Sequence, residues 1–184
     1  WAIPDVPDSL PVITIPAVRM RPGASVFDLL EGVEGVRAEA PLSFEDLDQE
    51  SGYVLYRHVF SEPAGGMLQV DGLRDYALVF MDGRRVAVLD RHARRFGARV
   101  DAPRGGRLDI LVENLGRINY GADMVNNRKG IIGPVTLGGA ELSGWTMFRL
   151  PFSGPARASL PHAAASAGVP TVYRGSFTLA RAGD

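Results

Sequence analysis

The most unusual group of polar side chains lies in the segment 113–121, Glu-Asn-Leu-Gly-Arg-Ile-Asn-Tyr-Gly. It follows an apolar run and places the guanidinium of Arg117, the amide of Asn119 and the phenol of Tyr120 between two glycines. Such groups hydrogen-bond sugar hydroxyls, and an aromatic ring stacks on a pyranose face. Two interpretations are open, a sugar-contacting site and a well-bonded structural loop, and residue chemistry alone favours the loop.

Asp109 and Glu113 are the two carboxylates considered for glycoside hydrolysis, and their spacing along one strand does not suit it. A retaining mechanism needs two carboxyl groups about 5 Å apart. Asp109 and Glu113 share one face of a predicted strand, but four residues along a strand span roughly 13 Å. We expect these two acids to pair with arginines near the sheet surface, such as Arg107 and Arg117.

The sequence lacks the motifs of metal, nucleophile and phosphate chemistry. His58, His92 and His162 are widely separated, and no serine lies in a Gly-x-Ser-x-Gly motif. The paired glycines at 105–106 and 138–139 match no phosphate-binding loop. There is no cysteine, which excludes disulfides and thiol catalysis. We therefore predict no metal site, no cofactor and no catalytic residue within the chain.

Charge is unevenly distributed although the net charge is only −1. Residues 84–107 hold eight arginines against two aspartates, and residues 31–50 hold seven acids against one arginine. The arginine-rich segment could bind phosphate or an acidic glycan. A solvated loop facing the acidic segment is the favoured interpretation, since the two charges would offset one another. We expect no nucleic-acid partner and no membrane partner.

The elements expected to position these residues are short strands. The chain of 184 residues is 46% hydrophobic, enough for a real core. From Gly52 onward, short runs of β-branched and aromatic residues alternate with turn signals, which predicts an all-β sandwich or jelly roll with only minor short helices. The clearest hairpin turns at Asp82-Gly83. The predicted strands lie near 52–60, 66–70, 75–81, 85–90, 107–113, 131–137, 141–149 and 171–179.

The two ends of the chain differ from this central region. Pro-punctuated residues 1–50 predict a connector with one strand at 11–20 and short helices, beginning at caps such as Ser25 and Ser43. Residues 51–150 form the predicted sandwich. Residues 151–184 form a linker and the first strand of a truncated second jelly roll. Because that last strand has no hairpin partner, we expect a piece of a longer protein, or pairing with the N-terminal strand.

An ordered series of motifs runs across residues 11–180. The motifs are Ser51-Gly-Tyr-Val-Leu-Tyr-Arg57, Arg74-Asp-Tyr-Ala-Leu-Val-Phe-Met-Asp-Gly83, Leu89-Asp-Arg91, Leu108-Asp-Ile-Leu-Val-Glu-Asn-Leu-Gly-Arg-Ile-Asn-Tyr-Gly121, Arg128-Lys-Gly-Ile131 and Gly144-Trp145. This series looks like the β-sandwich region that follows the catalytic barrel in family 35 β-galactosidases. In addition, the stretch 25–30 resembles the segment that leaves the barrel, and 172–178 resembles the opening strand of a further galactose-binding-like jelly roll.

The resemblance implies retaining hydrolysis of terminal β-galactosides by two glutamates of a (β/α)8 barrel. The motifs that carry those glutamates are absent here, so the chain is not expected to be an enzyme on its own. By the same resemblance Tyr120 comes near the galactose pocket, while Arg117 and Asn119 hold its loop. Trp145 completes the candidate ligand-binding set, although core or interface packing is its favoured role.

Three functions remain open at this point. The leading hypothesis is a non-catalytic module that supports the barrel of a family 35-like β-galactosidase, with the barrel as partner and galactosides as weak ligands. The alternatives are a stand-alone carbohydrate-binding module and a ligand-free interaction domain. We expect a soluble bacterial protein of carbohydrate metabolism, either cytoplasmic or secreted.

Overall fold

In the part of the chain that the structure describes, the protein folds as two main antiparallel β-sheets packed face to face, with two short 3-10 helices. The structure, a computed structural model, describes residues 4–5, 13–152 and 168–179. The all-β sandwich predicted from the sequence is confirmed. The strands are β1 Arg21–Ser25, β2 Val36–Ala38, β3 Tyr53–Val59, β4 Ala64–Val70, β5 Leu73–Arg74, β6 Tyr76–Met81, β7 Arg84–Asp90, β8 Gly97–Ala102, β9 Arg107–Glu113, β10 Gly130–Ile131, β11 Val135–Leu137, β12 Ala140–Glu141, β13 Trp145–Leu150 and β14 Thr171–Arg174, and the 3-10 helices are Asp28–Leu30 and Ala122–Asn126.

The larger sheet has six strands in the order β2-β13-β3-β9-β6-β7, and the smaller has four in the order β12-β11-β4-β8. Two further pairs, β1 with β14 and β5 with β10, stand beside them. All of these pairings are antiparallel. Strand β9 lies inside the larger sheet between β3 and β6, so it is paired on both edges.

The predicted β6–β7 hairpin is confirmed. Met81 pairs with Arg84 across the turn formed by Asp82 and Gly83. Both turn residues have positive φ, 51° and 79°, the values that a two-residue type I′ turn requires. Asp82 Oδ1 also accepts a hydrogen bond of 2.8 Å from the backbone N–H of Arg107, which fixes the turn to the neighbouring strand.

The period-two pattern of β9 explains how the larger sheet is buried on both faces. Leu108, Ile110 and Val112 contribute to the core between the two sheets. Leu111 points the other way, into a second cluster that includes Phe80 and Leu55. That outer cluster is covered by residues around the first 3-10 helix, including Val26, Phe27, Leu29 and Leu30. The larger sheet is therefore a middle layer in this part of the molecule.

Asp109 is the charged group that this second core encloses. Its side chain is 0% exposed, and Arg57 reaches it with Nε 2.7 Å from Oδ1 and Nη2 3.2 Å from Oδ2. Arg107 Nε lies 2.9 Å from Oδ2, an ion-pair contact that lacks the angle of a hydrogen bond. The guanidinium groups of Arg57 and Arg107 lie over the rings of Phe148 and Phe27 at 5.0 and 5.6 Å.

Asp109 pairs with arginines as expected, Arg107 among them, but its carboxylate is fully buried and does not lie near the sheet surface. Among the described ion pairs, Glu113 has no arginine partner. Glu113 is the register partner of Tyr53. Burial raises the pKa of the Tyr53 phenol, and the charge and hydrogen bond of Glu113 raise it further. Arg117 forms an ion pair with Glu45 instead.

The N-terminal strand lies further along the chain than predicted. Residues 13–20 form no strand and are mostly exposed, and residues 11–12 lie outside the described part of the chain. The strand is instead β1, which pairs with β14, so the expected partnership between the two ends is confirmed at a shifted place. The β-branched run 12–15 predicted a strand that residues 13–15 do not form, because a strand forms only where a neighbouring strand pairs with it.

The arginine-rich segment 84–107 was expected to be a loop against the acidic segment, and this is wrong. It contains β7 and β8, and Val100 and Ala102 of β8 contribute to the central core. Among the described residues, its arginines pair with three carboxylates outside the segment and one inside it, because strand register sets the neighbours and net charge does not. The outside carboxylates are Asp75, Glu62 and Asp109, and the inside one is Asp101, paired with Arg99.

Part of the predicted connector belongs to the sandwich, since β2 forms one edge of the larger sheet through its pairing with β13. The division into residues 1–50, 51–150 and 151–184 otherwise stays a prediction. Within the ranges that the structure describes, no helix has the length and apolarity needed to cross a bilayer.

Replacing the buried carboxylate by an amide tests the importance of the Asp109 cluster. We expect Asp109→Asn to lower the free energy of unfolding by about 3 kcal/mol, because Arg57 and Arg107 lose their counter-charge within a low-dielectric layer. Urea denaturation of the 184-residue chain measures this change. The control, Asp101→Asn, removes an exposed pair to Arg99 at 4.0 Å and should cost less than about 0.5 kcal/mol. Equal losses in the two variants would contradict the interpretation.

Candidate functional site

The loop between β9 and β10, residues 114–129, carries three of the four residues singled out in the sequence. Tyr120 is 91% exposed, Asn119 is exposed, and Arg117 is partly exposed at its side chain. The second 3-10 helix, Ala122–Asn126, lies within the same loop. We call this segment the β9–β10 loop.

Large apolar side chains of this loop face solvent in an unusual concentration. Exposed apolar side chains in such number mark surfaces that contact another molecule more often than surfaces of an isolated domain. They cannot be part of either core described above. We call these five residues the loop patch: Leu115, Ile118, Tyr120, Met124 and Val125.

The first residues of the β9–β10 loop are fixed by Asn114. Its Nδ2 donates to the backbone carbonyl of Glu50 at 2.8 Å, and its Oδ1 accepts from the backbone N–H of Gly116 at 2.9 Å. The backbone N–H of Asn114 also donates to the carbonyl of Gly52 at 3.2 Å. Beside these contacts lies an open cleft of about 630 Å³, lined by Asn114, Gly116, Arg117, Glu50 and Ser51.

Arg117 connects the loop to its own far end and to the segment before β3. Its Nη1 donates to the carbonyl of Asn127 at 2.8 Å and forms an ion pair with Glu45. The Glu45 carboxylate also accepts from the backbone N–H of Lys129, with Oε2 at 3.1 Å and Oε1 at 3.3 Å. Burial alone raises the pKa of Glu45, but the hydrogen bonds from Lys129 and Arg117 outweigh it and lower the pKa below its usual value.

Lys129 closes the loop with a largely buried charge. Its side chain is 4% exposed, and its ammonium group forms an ion pair with Asp75, which also pairs with Arg91 Nη1 at 2.8 Å. Burial raises the pKa of Asp75, yet the hydrogen bonds and charges of Lys129 and Arg91 lower it overall. An open cleft of about 420 Å³ adjoins this cluster and Leu115 of the loop.

A comparison with protein families decides what this arrangement belongs to. The model described as "Beta-galactosidase, first all-beta domain" matches residues 41–151, which is more than half of the 184 residues. The chain belongs to this beta-galactosidase domain family. The match includes the whole β9–β10 loop, the smaller sheet and every strand of the larger sheet except β2, whereas β1, β2 and β14 lie outside it.

Proteins named beta-galactosidase resemble this chain over most of its length. One from Xanthomonas manihotis is 37% identical over 153 residues, which is 83% of this chain and 25% of that protein. One from Bos taurus is 31% identical over 163 residues, 78% of this chain and 25% of that protein. The Homo sapiens protein is 29% identical over 180 residues, 88% of this chain and 26% of that protein. The chain spans about a quarter of the length of these relatives.

Trp145 does not belong to the exposed site of this beta-galactosidase domain. It is 1% exposed in the core between the sheets, and its ring lies 5.5 Å from that of His58. Its indole N–H donates to the carbonyl of Leu142 at 3.0 Å, so its polar atom is satisfied internally. A sugar ring cannot stack on a side chain so enclosed. The assignment of Trp145 to a ligand-binding surface is corrected accordingly, and its alternative role in core packing fits the structure.

The other three candidates, Tyr120, Asn119 and Arg117, lie in one exposed loop of the beta-galactosidase domain, and their ligand-binding role stays a prediction. Sequence reasoning missed Glu45, Asp75 and Lys129, which fix the ends of that loop. One signal was present, since Lys129 is the single lysine beside 19 arginines. In the described residues no group of three histidines or acids is arranged to hold a metal ion.

The Asp75 cluster predicts a pH dependence of stability in this beta-galactosidase domain. Because the folded-state pKa of Asp75 is lowered, its contribution is present above the usual carboxyl pKa near 4 and is lost as the pH falls through the folded value. We expect Asp75→Asn to cost about 3 kcal/mol at pH 7, since Lys129 loses its partner. The cost should shrink below about pH 4.

Urea midpoints between pH 7 and pH 2.5 measure this effect. Asp71→Asn is the control, because the Asp71 carboxylate is exposed and, among the described residues, accepts a single hydrogen bond, of 3.3 Å from Gln69. A cost of Asp75→Asn that stays constant down to the lowest pH would contradict the assignment.

Proposed function

We propose that this chain is a non-catalytic domain of a family 35 β-galactosidase that docks on the catalytic barrel through the β9–β10 loop. Tyr120 would stand at the rim of the galactose pocket, while the two glutamates that hydrolyse terminal β-galactosides belong to the barrel. The observation that carries the proposal is Tyr120 itself, a phenol 91% exposed on a loop whose two ends are tied by ion pairs and hydrogen bonds. Membership of the beta-galactosidase domain family supports it.

The loop patch has the composition of a docking surface. Buried centres of protein interfaces are depleted in charge and enriched in aromatic residues and methionine. The loop patch offers Tyr120 and Met124 beside three aliphatic side chains. Arg117, which lies between Leu115 and Ile118 in the sequence, is already paired with Glu45. Docking would therefore cover apolar surface without leaving the Arg117 charge unpaired, which would be costly at an interface.

The chemistry that Tyr120 would supply is positioning. A phenol presents a flat apolar face for stacking and a hydroxyl that donates and accepts hydrogen bonds. Placed at the edge of a sugar pocket, it would orient the galactose ring and exclude water near the reacting carbon. Contacts of this kind matter most when they are held rigidly, because a small displacement of the substrate costs rate steeply.

A chimeric enzyme tests the proposal directly. The segment of the Xanthomonas manihotis β-galactosidase that matches this chain is replaced by the chain itself. Turnover of a chromogenic β-galactoside is then measured. We expect an active chimera in which Tyr120→Ala lowers kcat/KM about tenfold or more, a loss of about 1.4 kcal/mol or more.

Met67→Ala is the matched control, since Met67 is also an exposed apolar side chain but lies on β4 in the smaller sheet. It should leave kcat/KM unchanged. Equal kcat/KM values for the Tyr120→Ala and Met67→Ala chimeras, both folded by thermal melting, would contradict the docking role of the loop.

Galactose titration of the isolated chain separates this proposal from a stand-alone carbohydrate-binding module. Millimolar or tighter binding that disappears in Tyr120→Ala would favour the module. Absence of heat in the titration, together with an active chimera, would favour the docked domain.

A further inference from the structure

One carboxylate contacts both ends of the exposed part of the β9–β10 loop. Glu45 forms an ion pair with Arg117, near the beginning of the loop, and accepts hydrogen bonds from the backbone N–H of Lys129, its last residue. Arg117 also donates a hydrogen bond of 2.8 Å to the carbonyl of Asn127, near the end of the loop. Residues 118–126 therefore lie between two points of the chain that both contact the Glu45 carboxylate.

Apolar packing does not hold that part of the loop in place. Residues 115–122 and 124–126 are all exposed. The conformation of such a segment is normally set by hydrogen bonds and ion pairs at its ends, because no side chain is anchored in a core. Charge-assisted hydrogen bonds are the strongest contacts of this kind. The Glu45 contacts therefore contribute to where the loop patch lies, together with those of Asn114 and the ion pair of Lys129 with Asp75.

Glu45 is itself held independently of the loop patch. It lies in a turn closed by reciprocal bonds, from the Ser43 N–H to Asp46 Oδ2 and from the Asp46 N–H to Ser43 Oγ, both 3.1 Å. Phe44, the residue between Ser43 and Glu45, is fully buried in the central core. A turn fastened in this way presents the Glu45 carboxylate from a rigid base.

We propose that Glu45 is a positioning residue that fixes the conformation of the β9–β10 loop and thereby the place of Tyr120. Its effect on the loop stands on the contacts above. Its effect on turnover rests on the proposed function, so each effect has its own experiment. Glu45 touches neither Tyr120 nor the sugar in this scheme, and it acts through Arg117 and the Lys129 backbone.

Limited trypsin digestion of the 184-residue chain tests the effect on the loop. Glu45→Gln keeps the size of the side chain but removes its charge. We expect cleavage after Arg117 to become about tenfold faster, the ratio that about 1.4 kcal/mol represents. Glu141→Gln, which alters an exposed glutamate on β12, should leave this rate unchanged.

Cleavage after Arg94 provides the internal reference, because Arg94 lies in the exposed β7–β8 turn and has no contact with Glu45 among the described pairs. If Glu45 holds the loop, Glu45→Gln accelerates cleavage after Arg117 and leaves cleavage after Arg94 unchanged. General destabilisation of the domain accelerates cleavage at both sites. Glu45→Asp, which keeps the charge on a shorter side chain, should give an intermediate rate. An unchanged rate after Arg117 in Glu45→Gln, or equal acceleration at both arginines in Glu45→Gln and Glu45→Asp, overturns the proposal.

The chimeric β-galactosidase tests the effect on turnover. Glu45→Gln should lower kcat/KM about fivefold, and adding Tyr120→Ala should bring no further loss beyond that of Tyr120→Ala alone, because both changes act through the same phenol. Additive losses would show that Glu45 acts by another route and would overturn its positioning role. A third outcome is faster cleavage after Arg117 in Glu45→Gln together with unchanged kcat/KM in both the Glu45→Gln and the Tyr120→Ala chimeras. It would support the effect of Glu45 on the loop and refute the proposed function.

Discussion

Burial of the larger sheet on both faces is the constraint on which the rest of the molecule depends. Strand β9 has apolar residues that point to each of the two cores. Asp109 is a buried charge on this strand, and it has to be neutralised. Arg57 and Arg107 do so from the neighbouring strand and from β9 itself, while aromatic rings cover their guanidinium groups. The rigid strand that results ends at Glu113, where the exposed loop begins.

The sandwich and the β9–β10 loop are organised by different forces. Hydrophobic burial fixes the sheets, as the fully enclosed side chains of Trp145, Phe44 and Phe80 show. The loop has its large apolar side chains turned outward and is held by ion pairs and hydrogen bonds at its ends. A surface loop held at its ends by such bonds loses less conformational entropy on association than an unrestrained loop does.

Features governed by local pattern could be predicted from the sequence, and features governed by long-range contacts could not. The Asp82-Gly83 hairpin and the alternation of β9 follow from turn chemistry and a period of two. Strand β8 was missed although Ala98, Val100 and Ala102 alternate with Arg99 and Asp101, because glycine, alanine and aspartate are weak strand formers. The contact of Glu45 with Lys129 joins residues 84 positions apart, and no spacing rule connects them. For Trp145 the local sequence does not decide the role, since an aromatic residue beside Gly144 is equally compatible with an exposed sugar-stacking surface and with a buried core.

The nature of the surface cations has a practical consequence. The chain has one lysine and 19 arginines, and the ammonium group of that lysine is enclosed beside Asp75. Amine-directed acylating reagents would therefore find no accessible lysine side chain in the folded domain. Covalent mapping of its neighbours through side chains would use reagents that couple carboxylates or guanidinium groups, and tethering to a solid support through a lysine amine would need a lysine introduced away from the β9–β10 loop.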